Sequence, residues 1–371
     1  MPSPLLRKKN KLRVLKCILK SGKISRDQIA RDTGLAHSTL SYIMRELKEG
    51  NFLVIENVKT KKGRPYQLLR INPEKFKVIG VKVGREEVRG VLFDASMVPL
   101  KEHTVRIFSS MRNKKGYSEA LQEVVQELFT DRVLGIGVCS SGIVKGEEVV
   151  ISHVMNVRNW NLRNVLKDFE RIVVMNDADA LCQEISQRAD SDFLLVSYGI
   201  GIGASLWKNG KIKHIELGHM IVSSKGKCYC GQTGCLEYHS SEYAVLKSYL
   251  GIDIDFEDFV VNEEEKYRSV VEELRKKAKE DFETVKKHYE KAFKNLSVAV
   301  GNILMGFGVP LVFLVGEGVV NEDMVKLLEK SVKERFNREF IDGVEFHLAS
   351  ANWMLGAARA VVDRYLSDIL K

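Results

Sequence analysis

The opening residues Met-Pro-Ser-Pro lack the apolar core of a secretory signal. An unbroken membrane span is also missing. The stretch Leu296–Gly316 carries no charge, but Asn302, Gly301, Gly306, Gly308 and Pro310 interrupt it, so it reads as a buried helix ending near Gly306–Gly308 followed by a buried strand, Leu311–Val315. A disulfide framework is absent too. Of six cysteines, Cys17, Cys139 and Cys182 are scattered, and only Cys228, Cys230 and Cys235 cluster. These features point to a reducing, cytoplasmic setting with no membrane partner. Acidic residues are scarce at one end only. Residues 1–70 hold 17 Lys/Arg against 5 Asp/Glu, whereas the other 301 residues hold 41 against 44. A basic head on a near-neutral body suggests a nucleic-acid-binding module joined to something else.

The head reads as a winged helix-turn-helix. Leu12, Leu15, Ile18 and Leu19 recur at helical spacing. Ser25-Arg-Asp-Gln28 is a capping box that starts a second helix at Arg26, and Gly34 supplies its left-handed stop. A third helix spans His37 to Glu49, with Leu40, Ile43, Met44 and Leu47 inward and His37, Ser38, Thr39, Ser41, Tyr42 and Arg45 outward. That outer face is the candidate DNA-recognition surface. Two strand-like runs, Phe52–Val58 and Tyr66–Ile71, flank the basic tip Lys59–Pro65. Arg64 at this tip suits a narrow minor groove, and Lys59, Lys61 and Lys62 suit phosphates. The plainer reading is a basic helical domain used for protein contact. Helix pattern, wing and local charge together favour operator DNA.

The body, from about Lys77, alternates buried strands with helices. Val78–Val83 and Val88–Phe93 read as a hairpin, and Val133–Val138, Ile172–Met175 and Phe193–Ser197 as further strands, giving an α/β fold of two lobes around a cleft. Glu216-Leu-Gly-His219 precedes Cys228-Tyr-Cys-Gly-Gln-Thr-Gly-Cys-Leu-Glu237, so three thiols and an imidazole lie within a short stretch. This is the donor set of a closed structural zinc site, against the alternative of three buried thiols with no metal. The isolated His153, His214 and His239 suggest only surface or packing roles. The charged stretch Glu263–Lys294 reads as a solvated helical face.

Asn176-Asp177-Ala178, Glu216-Leu-Gly-His219 and the cysteine motif resemble those of the ROK family of repressors and sugar kinases, over residues 77 to 371. The resemblance implies an N-terminal winged helix-turn-helix (residues 1–71) followed by a two-lobed, actin-like, ribonuclease-H-like sugar-kinase body (72–371). Lobe one would span about 72–178 plus the C-terminal helix, and lobe two about 179–354. It implies zinc held by His219, Cys228, Cys230 and Cys235. It also implies a sugar set of Gly142, Asn156, Asn176, Asp177, Glu216, His219 and Glu237, in which carboxylates and amides pair with vicinal hydroxyls. Asp177 occupies the position of the family's general base.

The nucleotide elements depart from the family pattern. Asp-x-Gly-Gly-Thr has become Lys82-Val-Gly84-Arg85-Glu86, Gly-Thr-Gly-Ile-Gly has become Gly199-Ile200-Gly201-Ile202-Gly203, and Gly-Gly-Gly has become Gly316-Glu317-Gly318. Phosphoryl transfer depends on positioning and charge neutralisation, so these losses argue against ATP as a cofactor and make Asp177 vestigial. Lys82 or Arg85 acting as a substitute phosphate ligand is the remaining route to catalysis. Asp179 stands where the kinase branch has Asn, and the segment from Gly210 to Glu216 is shorter than the family's. The expectation is a sugar-responsive repressor that binds a palindromic operator as a homodimer or dimer of dimers. One alternative is an ATP-dependent kinase for glucose, mannose or N-acetylglucosamine that carries a DNA-binding head. The other is a regulator whose cleft takes a protein.

Overall fold

The computed structural model describes residues 4–58, 66–262 and 264–370. The head runs α1 (Pro4–Ser21), β1 (Ile24–Ser25), α2 (Arg26–Thr33), α3 (His37–Glu49), β2 (Leu53–Val58) and β3 (Tyr66–Ile71). The Ser25 hydroxyl accepts from the Gln28 backbone N–H at 3.2 Å, and Gly34 ends α2 at φ 64°. Only half of the expected capping box forms. The Gln28 side chain turns away and donates to Asp32 at 2.6 Å. Leu40, Ile43 and Leu47 of α3 are buried as expected, and Met44 is half-buried. The short β1, too brief for a periodicity signal, completes a sheet of order β1-β3-β2.

Lobe one contains β4 (Lys77–Val83), β5 (Glu87–Asp94), β6 (Pro99–Arg106), α4 (Lys114–Leu128), β7 (Val133–Ser140), β8 (Ile143–Lys145), β9 (Glu148–Ser152), β10 (Val157–Asn161), α5 (Leu162–Val165) and β11 (Ile172–Asn176). α6 (Asp177–Ile185) leads to lobe two. That lobe holds β12 (Phe193–Tyr198), β13 (Ile202–Lys208), β14 (Lys211–Ile215), α7 (Leu236–Ser240), α8 (Glu242–Leu250), α9 (Glu264–Glu280), α10 (Lys286–Phe307), β15 (Leu311–Val315), α11 (Glu322–Arg335), α12 (Arg338–Ile341) and β16 (Glu345–Leu348). The chain then returns through α13 (Trp353–Tyr365).

The two lobes repeat one topology. The first sheet has order β6-β5-β4-β7-β11 and the second β14-β13-β12-β15-β16. In each, an antiparallel meander is extended by two parallel strands. Strand ends therefore meet from both sides at the interlobe cleft, where ligands gather in such sheets. α13 seals this junction by close backbone approach. A Cβ on Gly80 would lie 1.9 Å from the Met354 carbonyl oxygen, and one on Gly356 would lie 1.8 Å from that of Ala180.

The head is not hung on a bare linker. Val14, Leu15, Ile18 and Phe52 share one buried apolar cluster with Phe76, Val78 and Phe93 of lobe one and with Val361, Val362 and Leu366 at the C-terminal end of the chain. Beside it a cavity of about 1390 Å³ separates α1 and α2 from the body. Lys16–Asp363 (2.6 Å) and Lys20–Asp190 (3.2 Å) tie the head to the body beside this gap. Among the described residues no helix is long and apolar enough to cross a membrane, and α10 ends at Gly308 with φ 59°, as its glycines suggested.

The charged stretch from 263 differs from its expectation. α9 buries Val271, Leu274 and Ala278, and its Arg275 reaches into the lobe. Leu274, Val271 and Ala278 recur three and four residues apart, so a core-facing stripe lay beneath the charges.

Candidate functional site

The thiol cluster forms on a tightly folded loop. Gly231 and Gly234 adopt φ 93° and 85°, and a Cβ at Gly234 would sit 1.7 Å from the Ser223 carbonyl oxygen. Those turns bring Cys228, Cys230, Cys235 and His219 together, with their donor atoms all within 4.8 Å of one another. Sγ of Cys230 and Cys235 lie 3.6 Å apart, and Nδ1 of His219 lies 3.8 Å from Sγ of Cys228. A tetrahedron built on metal–sulfur bonds of about 2.3 Å has edges of about 3.8 Å, which these two separations match, so the set could hold a metal ion. Burial and mutual crowding push the Cys228 and Cys235 thiols up, Cys235 to about 11. A bound cation is what would draw such thiols into the thiolate form.

The sugar set predicted from sequence divides between two edges of the cleft. On one edge, β11 ends at Asn176, whose side chain does two jobs. Its Oδ1 caps α6 by accepting from Ala178 N–H at 2.8 Å, and its Nδ2 donates to the Gly142 carbonyl at 2.8 Å. Gly142 has φ 91°, and a Cβ there would lie 2.2 Å from the Ile151 carbonyl oxygen, so glycine is needed for β9 to pack. The Asp177 carboxylate accepts from Ala178 N–H at 2.8 Å at the start of α6, where the helix dipole favours an anion. Asn156 is exposed in the turn between β9 and β10 at φ 53°.

On the other edge, Glu216 opens the 3₁₀ turn Leu217–His219, which leads straight to the thiol cluster. Its side chain is 44% exposed. Glu237 is placed differently. It is 4% exposed, accepting from Ile202 N–H at 2.8 Å and from the Tyr229 hydroxyl, and burial pushes its carboxyl up. As placed, Glu237 props the loop 199–203 against the cysteine loop from within.

His214 was missed by sequence reasoning. Its Nδ1 lies 3.1 Å from Asp179 Oδ1 and its Nε2 lies 3.1 Å from Glu216 Oε1. Burial opposes charging this ring, but the hydrogen bonds and charges of the two carboxylates outweigh it, raising its pKa to about 10. In return the His214 hydrogen bond lowers the Glu216 carboxyl. A signal was available. His214 and Glu216 are two residues apart on an extended segment, so they share a face.

The three altered loops are occupied by protein. Nζ of Lys82 sits 3.2 Å above the centre of the Trp353 ring. Arg85 is buried and donates to the Val260 carbonyl, while Glu86 pairs with Arg268 of α9, so this turn joins lobe one to lobe two. Across the cleft, Arg275 grips Glu242 through two hydrogen bonds of 2.7 and 2.6 Å and reaches Glu317 at 3.4 Å. Glu242 N–H donates to the Gly199 carbonyl, and Gly318 packs so closely that a Cβ on it would lie 2.9 Å from Gly199 Cα. Lys82 and Arg85, the substitute phosphate ligands weighed from sequence, thus rest on the Trp353 ring and the Val260 carbonyl in this structure.

In the head, His37, Ser38, Ser41, Tyr42 and Arg45 are exposed on α3, and Thr39 is half-buried. Basic residues from other helices join them. The Arg7 guanidinium lies 4.5 Å from the Tyr42 ring centre and Arg45 lies 5.2 Å from it. Arg26 donates to the His37 carbonyl at 3.1 Å and also bonds Ser41. Arg7 and Arg26 were not singled out from sequence, because only the folded head brings α1 and α2 against α3. Lys62 and Arg64 lie outside the described residues.

Comparison with known proteins matches residues 78–363 to the ROK family and residues 7–54 to a winged helix-turn-helix DNA-binding family. The xylose repressor of Bacillus subtilis (strain 168) is 26% identical over 264 residues, covering 66% of this chain and 68% of the repressor. A ROK family transcriptional regulator, described as a homolog of the E. coli MLC protein, superposes with a TM-score of 0.73 at 19% identity, covering 98% of each chain. A ROK family glucokinase from Streptomyces griseus, solved with glucose and AMPPNP, superposes with a TM-score of 0.58 at 18% identity, covering 76% of this chain and 98% of that one. The fold is thus a winged helix-turn-helix joined to the actin-like sugar-kinase body.

Proposed function

The chain belongs to the ROK family, and on that premise we propose that it is a sugar-responsive DNA-binding transcriptional regulator, a repressor released from its operator when a sugar enters the cleft. One contrast carries this reading. Asp177 and Glu216 keep partly exposed carboxylates, whereas Arg85, Glu86, Glu242 and Arg275 tie the nucleotide loops to each other and to the opposite lobe. Similarity to a xylose repressor supports it.

The sugar would lie between Asn176–Asp177 and Glu216–His219, with Gly142 and Asn156 bordering it. Zinc on His219, Cys228, Cys230 and Cys235 would stiffen the loop that carries this edge, and Glu237 would brace that loop from inside. Two chains would present α3 and the wing, with His37, Ser38, Thr39, Ser41, Tyr42, Arg45, Lys62 and Arg64, to the half-sites of a palindrome. Sugar that prefers one lobe arrangement shifts its population. The apolar cluster shared by the head and lobe one gives that shift a path to the DNA.

The kinase alternative retains one supporting feature, Asp177 at the base position. The proposal is checked by selecting duplexes that the full chain binds from a random pool and following fluorescence anisotropy as D-xylose, D-glucose, D-mannose or N-acetyl-D-glucosamine is added. One of these sugars should lower DNA affinity at least tenfold. Absence of sequence-selective binding, or indifference to every sugar, would overturn the reading.

A further inference from the structure

We propose that His214 is a positioning residue of the sugar cleft, clamping the carboxylate of Glu216 to Asp179 on α6 so that the two edges of the cleft keep a fixed relation. The inference rests on the sugar-binding reading above and assigns a role to a residue outside the family motifs.

Three observations carry it. First, His214 lies between two carboxylates, each 3.1 Å from a different ring nitrogen. A carboxylate only accepts, so both nitrogens must donate and the ring is a doubly protonated cation. Neither nitrogen is left to bind sugar or accept a proton, which makes the ring a strut. Second, the strut joins the elements that matter. Asp179 is in the first turn of α6, the helix that begins at Asp177, and Glu216 opens the turn to His219. Third, the other end of the strut is anchored in the core. Asp179 also accepts from the hydroxyl of Ser205, a fully buried residue paired with His214 across β13 and β14.

The chain is thus Ser205, Asp179, His214, Glu216, running from buried sheet to half-exposed cleft edge. Glu216 would otherwise have the rotamer freedom of an exposed carboxylate, and ordering it would oppose each binding event. Held in place, its carboxylate is preset to accept from a pair of sugar hydroxyls. Asp179 and β14 thus meet through opposite charges, the carboxylate of α6 facing the imidazolium that β14 carries. An Asn at 179 would offer the imidazolium no counter-charge.

The experiment titrates the intact chain calorimetrically with D-xylose, D-glucose, D-mannose and N-acetyl-D-glucosamine, using wild type, His214→Ala, His214→Gln, Asp179→Asn and the double variant Asp179→Asn/His214→Ala. Hydrogen bonds to charged groups predict a loss of roughly ten- to hundredfold in affinity for His214→Ala. His214→Gln, whose amide still donates to Glu216, should recover part of it. In the Asp179→Asn background the His214→Ala change should cost several-fold less, because the two residues act as one unit. Should His214→Ala fail to fold, the Gln and Asn variants carry the same comparison. Wild-type-like affinity in His214→Ala overturns the inference while leaving sugar binding intact. A loss that Gln does not relieve and that adds independently to Asp179→Asn also overturns it, since that marks a general packing role. Wild type that binds none of the four sugars overturns the sugar reading, and this inference with it.

Discussion

The sugar edge and the nucleotide edge of the cleft both draw carboxylates from lobe two, yet their charged groups are used in opposite ways. At the sugar edge, Glu216 is 44% exposed and held by a single strut from below. At the nucleotide edge, Glu242 has a side chain 4% exposed and is gripped twice by Arg275. One carboxylate faces the cleft and the other is spent inside the protein. On the proposed reading, the comparison describes a sugar-kinase fold used as a sensor. Charged groups at the nucleotide loops bind one another and the opposite lobe, whereas the Glu216 carboxylate keeps solvent access.

The cysteine loop sets the largest expected effect. Cys228→Ser, or removal of metal by a strong chelator, should abolish sugar binding and lower the melting temperature, because structural zinc sites contribute on the order of 10 kcal/mol in small domains. Sugar affinity unchanged in metal-free protein would break the link drawn between this loop and Glu216. Next, Arg275→Ala removes both hydrogen bonds that this guanidinium gives the buried Glu242, and denaturant unfolding should show a loss of about 3–5 kcal/mol. A loss below about 1 kcal/mol, the range of exposed pairs, would mean that the nucleotide edge is no more structural than the sugar edge.

A smaller effect separates the head from both edges. Tyr42→Ala and Arg45→Ala should each weaken binding to a selected duplex by roughly ten- to hundredfold, as losses of 1–3 kcal/mol at base-reading positions do. Sugar affinity should not change. The smallest effect is in pH. The raised His214 pKa means the folded state holds a proton that the unfolded chain releases above its ordinary 6.5, so this stabilisation is complete below pH 6.5 and is lost as pH rises towards about 10. Wild type should therefore lose stability over that window with a slope of at most about 1.4 kcal/mol per pH unit, and His214→Gln should lack this component. Identical slopes would remove the cationic strut from the comparison.

Much of this was legible in the sequence because it depends on local rules. The bounds of α3, the Gly34 stop and the β15 run follow from periodicity and glycine placement, and the cysteine loop from donor spacing. What escaped depends on tertiary contact. β1 is two residues long and exists only because β3 lies beside it. Arg7 and Arg26 reach α3 from other helices. His214 looked like a lone surface imidazole until α6 placed Asp179 against it. Glu237 entered the sugar set by resemblance, and its contacts with Ile202 and Tyr229 became visible only once α7 was in place. The nucleotide loops were readable as losses, while the partners that fill the space come from α8, α9 and Trp353 far along the chain.

The most direct measurement is calorimetric titration of one preparation with the four sugars and, separately, with magnesium–ATP, followed by a coupled assay for phosphorylated sugar. The account predicts heat of binding for at least one sugar, none for magnesium–ATP at millimolar concentration, and no turnover. Saturable ATP binding with product formed at roughly 1–100 per second, the range of working kinases, would contradict it.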